Sequence, residues 1–212
     1  MNSILDILNS DLGKQIVQGA SAQTSASENK TNQVMSMAMP LLLAAMKKNA
    51  STPEGAKGLL NAIQTKHDGS LVNNLGTFFQ GGVEDSALKD GAGILKHVLG
   101  GKQPQIENAL SQKSGLDASS VAQILQIAAP IVLGMIGKQA NEAKVNNQNG
   151  LANVLGGLLD GKKNTQQSFL ESLLDANGDG SVVDDIAGMV FNGKSDKKQS
   201  GLGGLLGRFL KK

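Results

Sequence analysis

The sequence predicts an all-α protein that contains two copies of a short-helix unit, each organised around a buried helix with a proline. Residues 121–138 form the most apolar run of the chain, with apolar side chains at helical spacing. A similar run occupies residues 34–48, and Pro130 follows Pro40 at a distance of 90 positions. The alternating apolar pattern that is typical of strands is absent from the sequence.

The alignment of the two copies is the basis of the repeat prediction. The offset of 90 positions holds without a gap over the stretch from Ile4 to Lys48. Residues 68–79 recur as residues 179–190, at an offset of 111 positions. Because the offset grows from 90 to 111, the second copy should contain an insertion of about 21 residues. Chance similarity between two glycine-rich helical stretches is the alternative.

Four parts of the chain follow from this alignment. They are a first helical copy at 1–82, a connector at 83–93, a second helical copy with the insertion at 94–193, and a basic tail at 194–212 with a short amphipathic end.

Each central proline should kink or break its helix, because proline lacks the amide donor and collides with the preceding turn. A helix that is apolar on all sides belongs in a protein core or in a bilayer. The run at 121–138 is shorter than the roughly 20 apolar residues of a membrane span, and Gln123 and Gln126 interrupt it. We therefore expect a core helix and no transmembrane segment.

Polar caps, prolines and glycines mark the predicted helix ends. Ser25 or Ser27 should cap the first central helix, and Asp117 the second. Thr52 followed by Pro53 marks another helix start. The other helices are predicted at 3–11 and 13–22 with Gly13 between them, at 71–79, at 94–99, at 104–113 with Gly115 as its end, at 151–159 and at 165–174, with a loop at 139–150.

Composition limits the classes of function. The chain has no Cys, which excludes disulfides, thiolate metal sites and cysteine nucleophiles. The N-terminus shows no signal-peptide pattern, so we expect a cytoplasmic protein by default, with export by another route as the alternative. Residues 194–212 hold six Lys or Arg against one Asp, so the basic character of the chain lies in this tail.

One stretch carries a metal-binding pattern. Asp175, Asn177 and Asp179, followed by Gly180 and Ser181, fit the first half of a calcium-binding loop. Alternate residues can direct side-chain oxygens at one centre, the glycine allows a sharp turn, and the carbonyl of Ser181 adds another oxygen. The pattern predicts one structural calcium site.

The second half of the loop departs from the pattern. Its twelfth position holds Ile186 instead of a bidentate Glu, and the nearest acids are Asp184 and Asp185. The loop resembles dockerin-type loops but is one residue short, and Asp185 is the predicted closing ligand. A turn whose side chains cap the next helix is the alternative, as is a site that holds magnesium or stays empty. In the first copy Lys66 replaces a ligand, so no metal is expected there.

No catalytic constellation is recognisable, and we expect a protein that is not an enzyme. His67 and His97 have no acid beside them in a catalytic pattern, and surface or rim positions are expected for both. Residues 202–212 could form a short amphipathic helix that contacts a membrane surface or a partner. A frayed tail, or a helix folded back on the core, is the alternative.

Three stretches resemble one bacterial family. The proline-bearing stretch APIVLG, the stretch LLDANGDGSVVDDI and the GLGGLLG tail resemble the family catalogued as domain of unknown function 937. The resemblance implies an α-helical bacterial protein, and it implies no activity, cofactor or catalytic residue.

The leading hypothesis is a non-enzymatic structural or interaction protein with one structural calcium site and a protein partner that the sequence does not identify. One alternative is a nucleic-acid or ribosome-associated factor that uses the basic tail, whose binding would depend steeply on salt. Another is docking on a membrane surface or a partner through the C-terminal amphipathic segment. An enzyme is a further alternative, for which the sequence offers no substrate.

Overall fold

The structure is a computed structural model and describes residues 3–159. Within that range the chain forms ten α-helices and one 3₁₀ turn and contains no strand, which confirms the all-α prediction for this part of the chain. The helices are α1 (Ile4–Leu8), α2 (Asp11–Thr24), α3 (Glu28–Asn49), α4 (Pro53–Thr65), α5 (Ser70–Asn73), α6 (Leu75–Phe79), α7 (Asp85–Leu99), α8 (Gln103–Ser114), α9 (Ala118–Glu142) and α10 (Gln148–Leu159), with the 3₁₀ turn at Gly100–Lys102.

The two proline-bearing helices, α3 and α9, pack against each other in the centre of the core. Pro40 and Pro130 lie inside them, and both helices continue through the proline, so neither proline breaks its helix. Among residues 3–159, α9 alone is long and apolar enough to cross a membrane, and 78 % of its most apolar window is buried inside the protein. Burial of this kind is also what the core helix of a soluble protein shows.

Pro130 has a packing consequence where α7 crosses α9. Because proline has no amide hydrogen, the carbonyl of Gln126 loses its usual donor four residues later. Gly91 of α7 lies directly against that carbonyl, and a Cβ at Gly91 would collide with it. The proline and the glycine together let the two backbones approach closely.

Shorter helices from each half of the chain pack on the central helix of the other half. α4 and α5 come from the first half of the chain and pack on α9, whereas α10 comes from the second half and packs on α3. The predicted caps are confirmed: Ser27, Thr52 and Asp117 each accept a hydrogen bond from the amide three residues later, at 3.5, 3.1 and 2.9 Å. Gly115 ends α8 in the left-handed conformation with φ of 66°.

Local contacts recur at the offset of 90 positions. Ser21 Oγ donates to the carbonyl of Ala26 at 2.6 Å, and Ser111 Oγ donates to the carbonyl of Leu116 at the same distance. α2 and α8 both end at a left-handed residue, again at this offset. These recurrences support the two-copy arrangement, which stays a prediction that superposition of the halves would test.

The structure differs from the sequence-based expectation at several helix ends. Gly13 lies inside α2, not between two helices, and residues 71–79 belong to two short helices, not one. α7 begins at Asp85, so the predicted connector at 83–93 is mostly helical. α9 continues to Glu142, into the range predicted as a loop. Packing against neighbouring helices extends α2, α7 and α9 beyond what local propensity alone indicates.

Candidate functional site

A groove lies between α4 and α7, with α9 beneath it, and we call it the α4–α7 groove. Both helices pack on α9, which sets the direction of the two walls. The groove has a volume of about 680 Å³. Sites for small ligands span about 300–1,000 Å³, so the groove is large enough to hold several side chains of a partner or one small molecule.

The floor and the walls of the groove are apolar. Met46 of α3 and Leu133 of α9 form the floor and are 1 % and 3 % exposed. Leu59 of α4 and Ile94 and Val98 of α7 line the walls and are half-buried. Aliphatic side chains that are half-covered and face an open groove are a surface that an apolar ligand can cover.

Two glycines keep the middle of the groove open. Gly58 of α4 and Gly93 of α7 line it, and a Cβ at either position would meet nothing within 4 Å. Other glycines of the same helices have packing reasons: a Cβ at Gly55 would collide with the Asn49 carbonyl, and one at Gly91 with the Gln126 carbonyl. A glycine inside a helix costs about 1 kcal/mol relative to alanine, and at Gly58 and Gly93 no contact with the described residues explains that cost.

Polar contacts connect the helices at each end of the groove. At one end Asp90 of α7 accepts a hydrogen bond from Lys66 Nζ at 2.5 Å and lies 3.4 Å from His67 Nε2. At the other end Asn49 Nδ2 points to the carbonyls of His97 and Val98 at 3.4 and 3.5 Å. The groove therefore has connected ends and an open apolar middle.

His67 is buried in this arrangement and His97 is exposed. The side chain of His67 is 6 % exposed, so its expected surface or rim position is wrong, and the fold brings Asp90 beside it. Asp90 is 23 positions away, in the segment predicted as a connector, so no local pattern could indicate the pair. Burial lowers the pKa of His67 below its ordinary value of 6.5. The Asp90 and Asp68 carboxylates oppose this shift, and the Lys66 ammonium adds to it.

The groove lacks an oriented nucleophile among the residues that line it. Its two hydroxyl side chains, Thr52 and Thr65, both bond to backbone atoms: Thr52 caps α4, and Thr65 Oγ1 donates to the Asn61 carbonyl at 2.7 Å. A histidine–carboxylate pair activates a hydroxyl only when that hydroxyl is within reach of the imidazole. The pair of His67 and Asp90 is therefore placed to connect the turn after α4 to α7.

Charged side chains at the groove are more often basic than acidic. Lys48, Lys66 and Lys89 line it, against Glu54 and Asp90. Of the acids, Asp90 is already paired with Lys66. A ligand with an apolar body and an acidic edge complements this combination.

The predicted calcium ligands lie outside the described residues, as does the helix predicted at 165–174. These ligands are Asp175, Asn177, Asp179, Ser181, Asp184 and Asp185. Among residues 3–159, no group of three or more His, Asp or Glu side chains could hold a metal ion.

The turn at Asp68–Ser70 in the first half corresponds in sequence to part of the predicted calcium loop. Asp68 Oδ1 accepts a hydrogen bond from the Ser70 amide at 2.9 Å, and this bond holds the pKa of Asp68 below its ordinary value. Asp179 and Ser181 stand at the same positions, 111 residues later. In the described first half, the Asp68 side chain therefore makes a local turn contact just before α5.

Comparison with known protein families identifies the family of the chain. A family described as a bacterial protein of unknown function, DUF937, matches residues 6–139. The chain belongs to this family. Every residue that lines the α4–α7 groove lies within the matched range. Neither a curated protein nor a solved structure matches the chain.

Proposed function

We propose that the chain is a non-enzymatic interaction protein and that the α4–α7 groove binds an amphipathic helix of a protein partner. The observation that carries the proposal is the pair of Gly58 and Gly93, which face open space from opposite walls of an apolar groove. Both glycines weaken their helices and make no packing contact with residues 3–159. A partner that occupies the space would account for them.

The chemistry of the groove defines the partner helix. Helix-in-groove recognition uses apolar side chains at positions i, i+3, i+4 and i+7 as anchors. The apolar anchors would cover Leu59, Ile94 and Val98, and Lys89 favours acidic residues beside the anchors. The proposed partner is therefore an acidic amphipathic helix.

The test compares binding of two labelled peptides by fluorescence anisotropy. Both peptides are about as long as α4 and carry leucine at helical spacing, one with glutamate and the other with lysine at the remaining positions. The acidic peptide should bind, and the basic one should bind at least about tenfold more weakly, a difference of about 1.4 kcal/mol.

Groove-filling variants provide the matched comparison. Gly58→Leu and Gly93→Leu should each weaken binding of the acidic peptide by about tenfold or more. Gly76→Leu is the control, because Gly76 also has open space around its Cβ position and lies on α6, outside the groove. Helical circular dichroism confirms folding of each variant.

Three outcomes would contradict the proposal. These are no binding of the acidic peptide, equal weakening by the control variant, and binding of a small apolar anion such as anilinonaphthalene sulfonate in the groove without binding of the peptide. The last outcome would assign the groove to a small ligand.

We propose in addition that Asp175, Asn177, Asp179, the Ser181 carbonyl and Asp185 bind one calcium ion as a structural site. Asp184 is the alternative closing ligand. The alternating oxygens and Gly180 in the sequence support this proposal. Because the closing ligand is irregular, the dissociation constant should be on the order of 10⁻⁴ M.

Calorimetric titration tests the calcium proposal. Asp175→Ala should abolish the heat of calcium binding, and Asp68→Ala, in the corresponding turn of the first half, should leave it unchanged. Heat that survives Asp175→Ala would place the site elsewhere. The absence of heat at millimolar calcium would leave the helix-capping turn as the role of this stretch.

The basic tail at 194–212 carries the two other proposals, and it lies beyond the part of the chain that the structure describes. Contact with nucleic acid through its lysines, or with a membrane through 202–212, would be lost on its removal. Binding of the acidic peptide by the groove would be retained.

A further inference from the structure

The stretch 68–79 connects the end of the first half to the central helix of the second. Val72 lies against Gly134 of α9, with Cγ2 at 3.1 Å from the position of a Cβ on that glycine. Lys138 Nζ donates to Asn73 Oδ1 at 2.8 Å. These contacts seat α5 on the C-terminal half of α9.

The partners of both contacts recur in the sequence. At the offset of 111 positions the valine recurs as Val183, and the asparagine is replaced by Asp184. At the offset of 90 positions, α3 carries Ala44 and Lys48 where α9 carries the glycine and the lysine. Each recurring pair is chemically compatible with contact.

We infer that residues 179–190 dock on the C-terminal half of α3, with Val183 against Ala44 and Asp184 paired with Lys48. The replacement of asparagine by aspartate would put a carboxylate in place of a neutral amide oxygen as the acceptor from lysine, which adds the attraction between opposite charges to the hydrogen bond. The inference is compatible with the calcium proposal, because Asp185 is the proposed closing ligand of that site.

A third contact changes in a complementary way. A Cβ at Gly19 of α2 would collide with the ring of Phe79, so this contact requires a glycine. The corresponding residues of the second half are Ala109 on α8 and Val190. One side gains a methyl group and the other loses a ring, so the same contact can form without a collision.

The proposed docking surface on α3 is accessible and within reach. Lys47 is exposed, and Ala44 and Lys48 are half-buried. The last described helix, α10, packs on α3 and ends at Leu159. The 19 residues between Leu159 and Asp179 can span several tens of ångströms at about 3.3 Å per residue.

One position requires a looser fit than in the first half. Gly137 lets the His67 carbonyl approach the backbone of α9 so closely that a Cβ there would collide with it. The corresponding residues are Lys47 and Gly178. Docking at this position therefore requires the lysine side chain to turn aside.

Disulfide mapping tests the inference on the full chain, which has no Cys of its own. Under mild oxidation Ala44→Cys with Val183→Cys should form an intramolecular disulfide, detected by gel mobility without reductant and by mass spectrometry. Gly134→Cys with Val72→Cys is the positive control from the described contact. Ala44→Cys with Asp185→Cys is the negative control, and it should react about tenfold more slowly because the cysteines point apart.

Charge reversal provides a second measurement. Lys48→Glu or Asp184→Lys should each slow disulfide formation between positions 44 and 183, and the double variant should restore it. The inference is overturned if the positive control reacts and the pair at 44 and 183 does not, or if that pair reacts only between two molecules.

Discussion

Thr31 of α3 places a polar hydroxyl in the apolar core. It is fully buried, and its hydroxyl finds no hydrogen-bond partner among the described residues. Val121 stands 90 positions later in α9 and is equally buried. A buried hydroxyl without a partner loses its hydration and gains nothing in return.

Thr31→Val should therefore raise the free energy of unfolding by about 1 kcal/mol, measured from the midpoint of urea unfolding. Thr24→Val is the control, because Thr24 Oγ1 donates to the Ala20 carbonyl at 2.8 Å and its loss should give no gain. A loss of stability in Thr31→Val would mean that the hydroxyl has a partner after all.

The buried imidazole of His67 makes the stability of the fold depend on pH. Burial lowers the pKa of His67 below 6.5, so below that pH the unfolded chain takes up a proton that the folded protein does not. The free energy of unfolding should therefore fall as pH falls from 6.5 towards the lowered pKa. His67→Gln should flatten this dependence in urea titrations between about pH 7.5 and pH 5.5. His97→Gln, at an exposed position, should retain it.

At the scale of the helix, two glycines of α7 separate a packing role from a binding role. Gly91 lies against the Gln126 carbonyl, whereas Gly93, two residues later, faces the open groove. Gly91→Ala should lower the free energy of unfolding by about 1–3 kcal/mol through overpacking. Gly93→Ala should raise it by about 1 kcal/mol through helix propensity. Thermal unfolding of both variants checks this, and equal effects would contradict the close crossing of α7 and α9.

Helix starts were predictable from the sequence because a cap depends on neighbouring residues. Thr52 and Asp117 each bond to the amide three positions later, so a short stretch of sequence contains the whole interaction. The contact of His67 with Asp90 joins the turn after α4 to α7, and the open space at Gly58 belongs to a groove lined by α3, α4, α7 and α9. Neither follows from periodicity or spacing, since both arise only after the helices are arranged.

At the scale of the whole molecule, two truncations distinguish the tail from the stretch before it. Ending the chain after Gly193 should leave the melting temperature unchanged, because the tail combines a charged segment with little apolar area to bury. Ending it after Leu174 removes residues 179–190 and should lower the melting temperature, because the inferred contacts with α3 are lost. Calorimetric scans compare both with the full chain. Unfolding of the protein that ends at Gly193 would show that the tail belongs to the core.

The central pairing of α3 with α9 also determines when folding can occur. α4 and α5 rest on a helix that begins at Ala118, so the cover that α9 gives their apolar faces is missing until that helix has been synthesised. Contacts between residues so far apart in the chain carry a large loop-closure entropy and slow the folding step. A nascent chain that ends before α9 should therefore remain sensitive to protease, and resistance should arise only after the second central helix has left the ribosome.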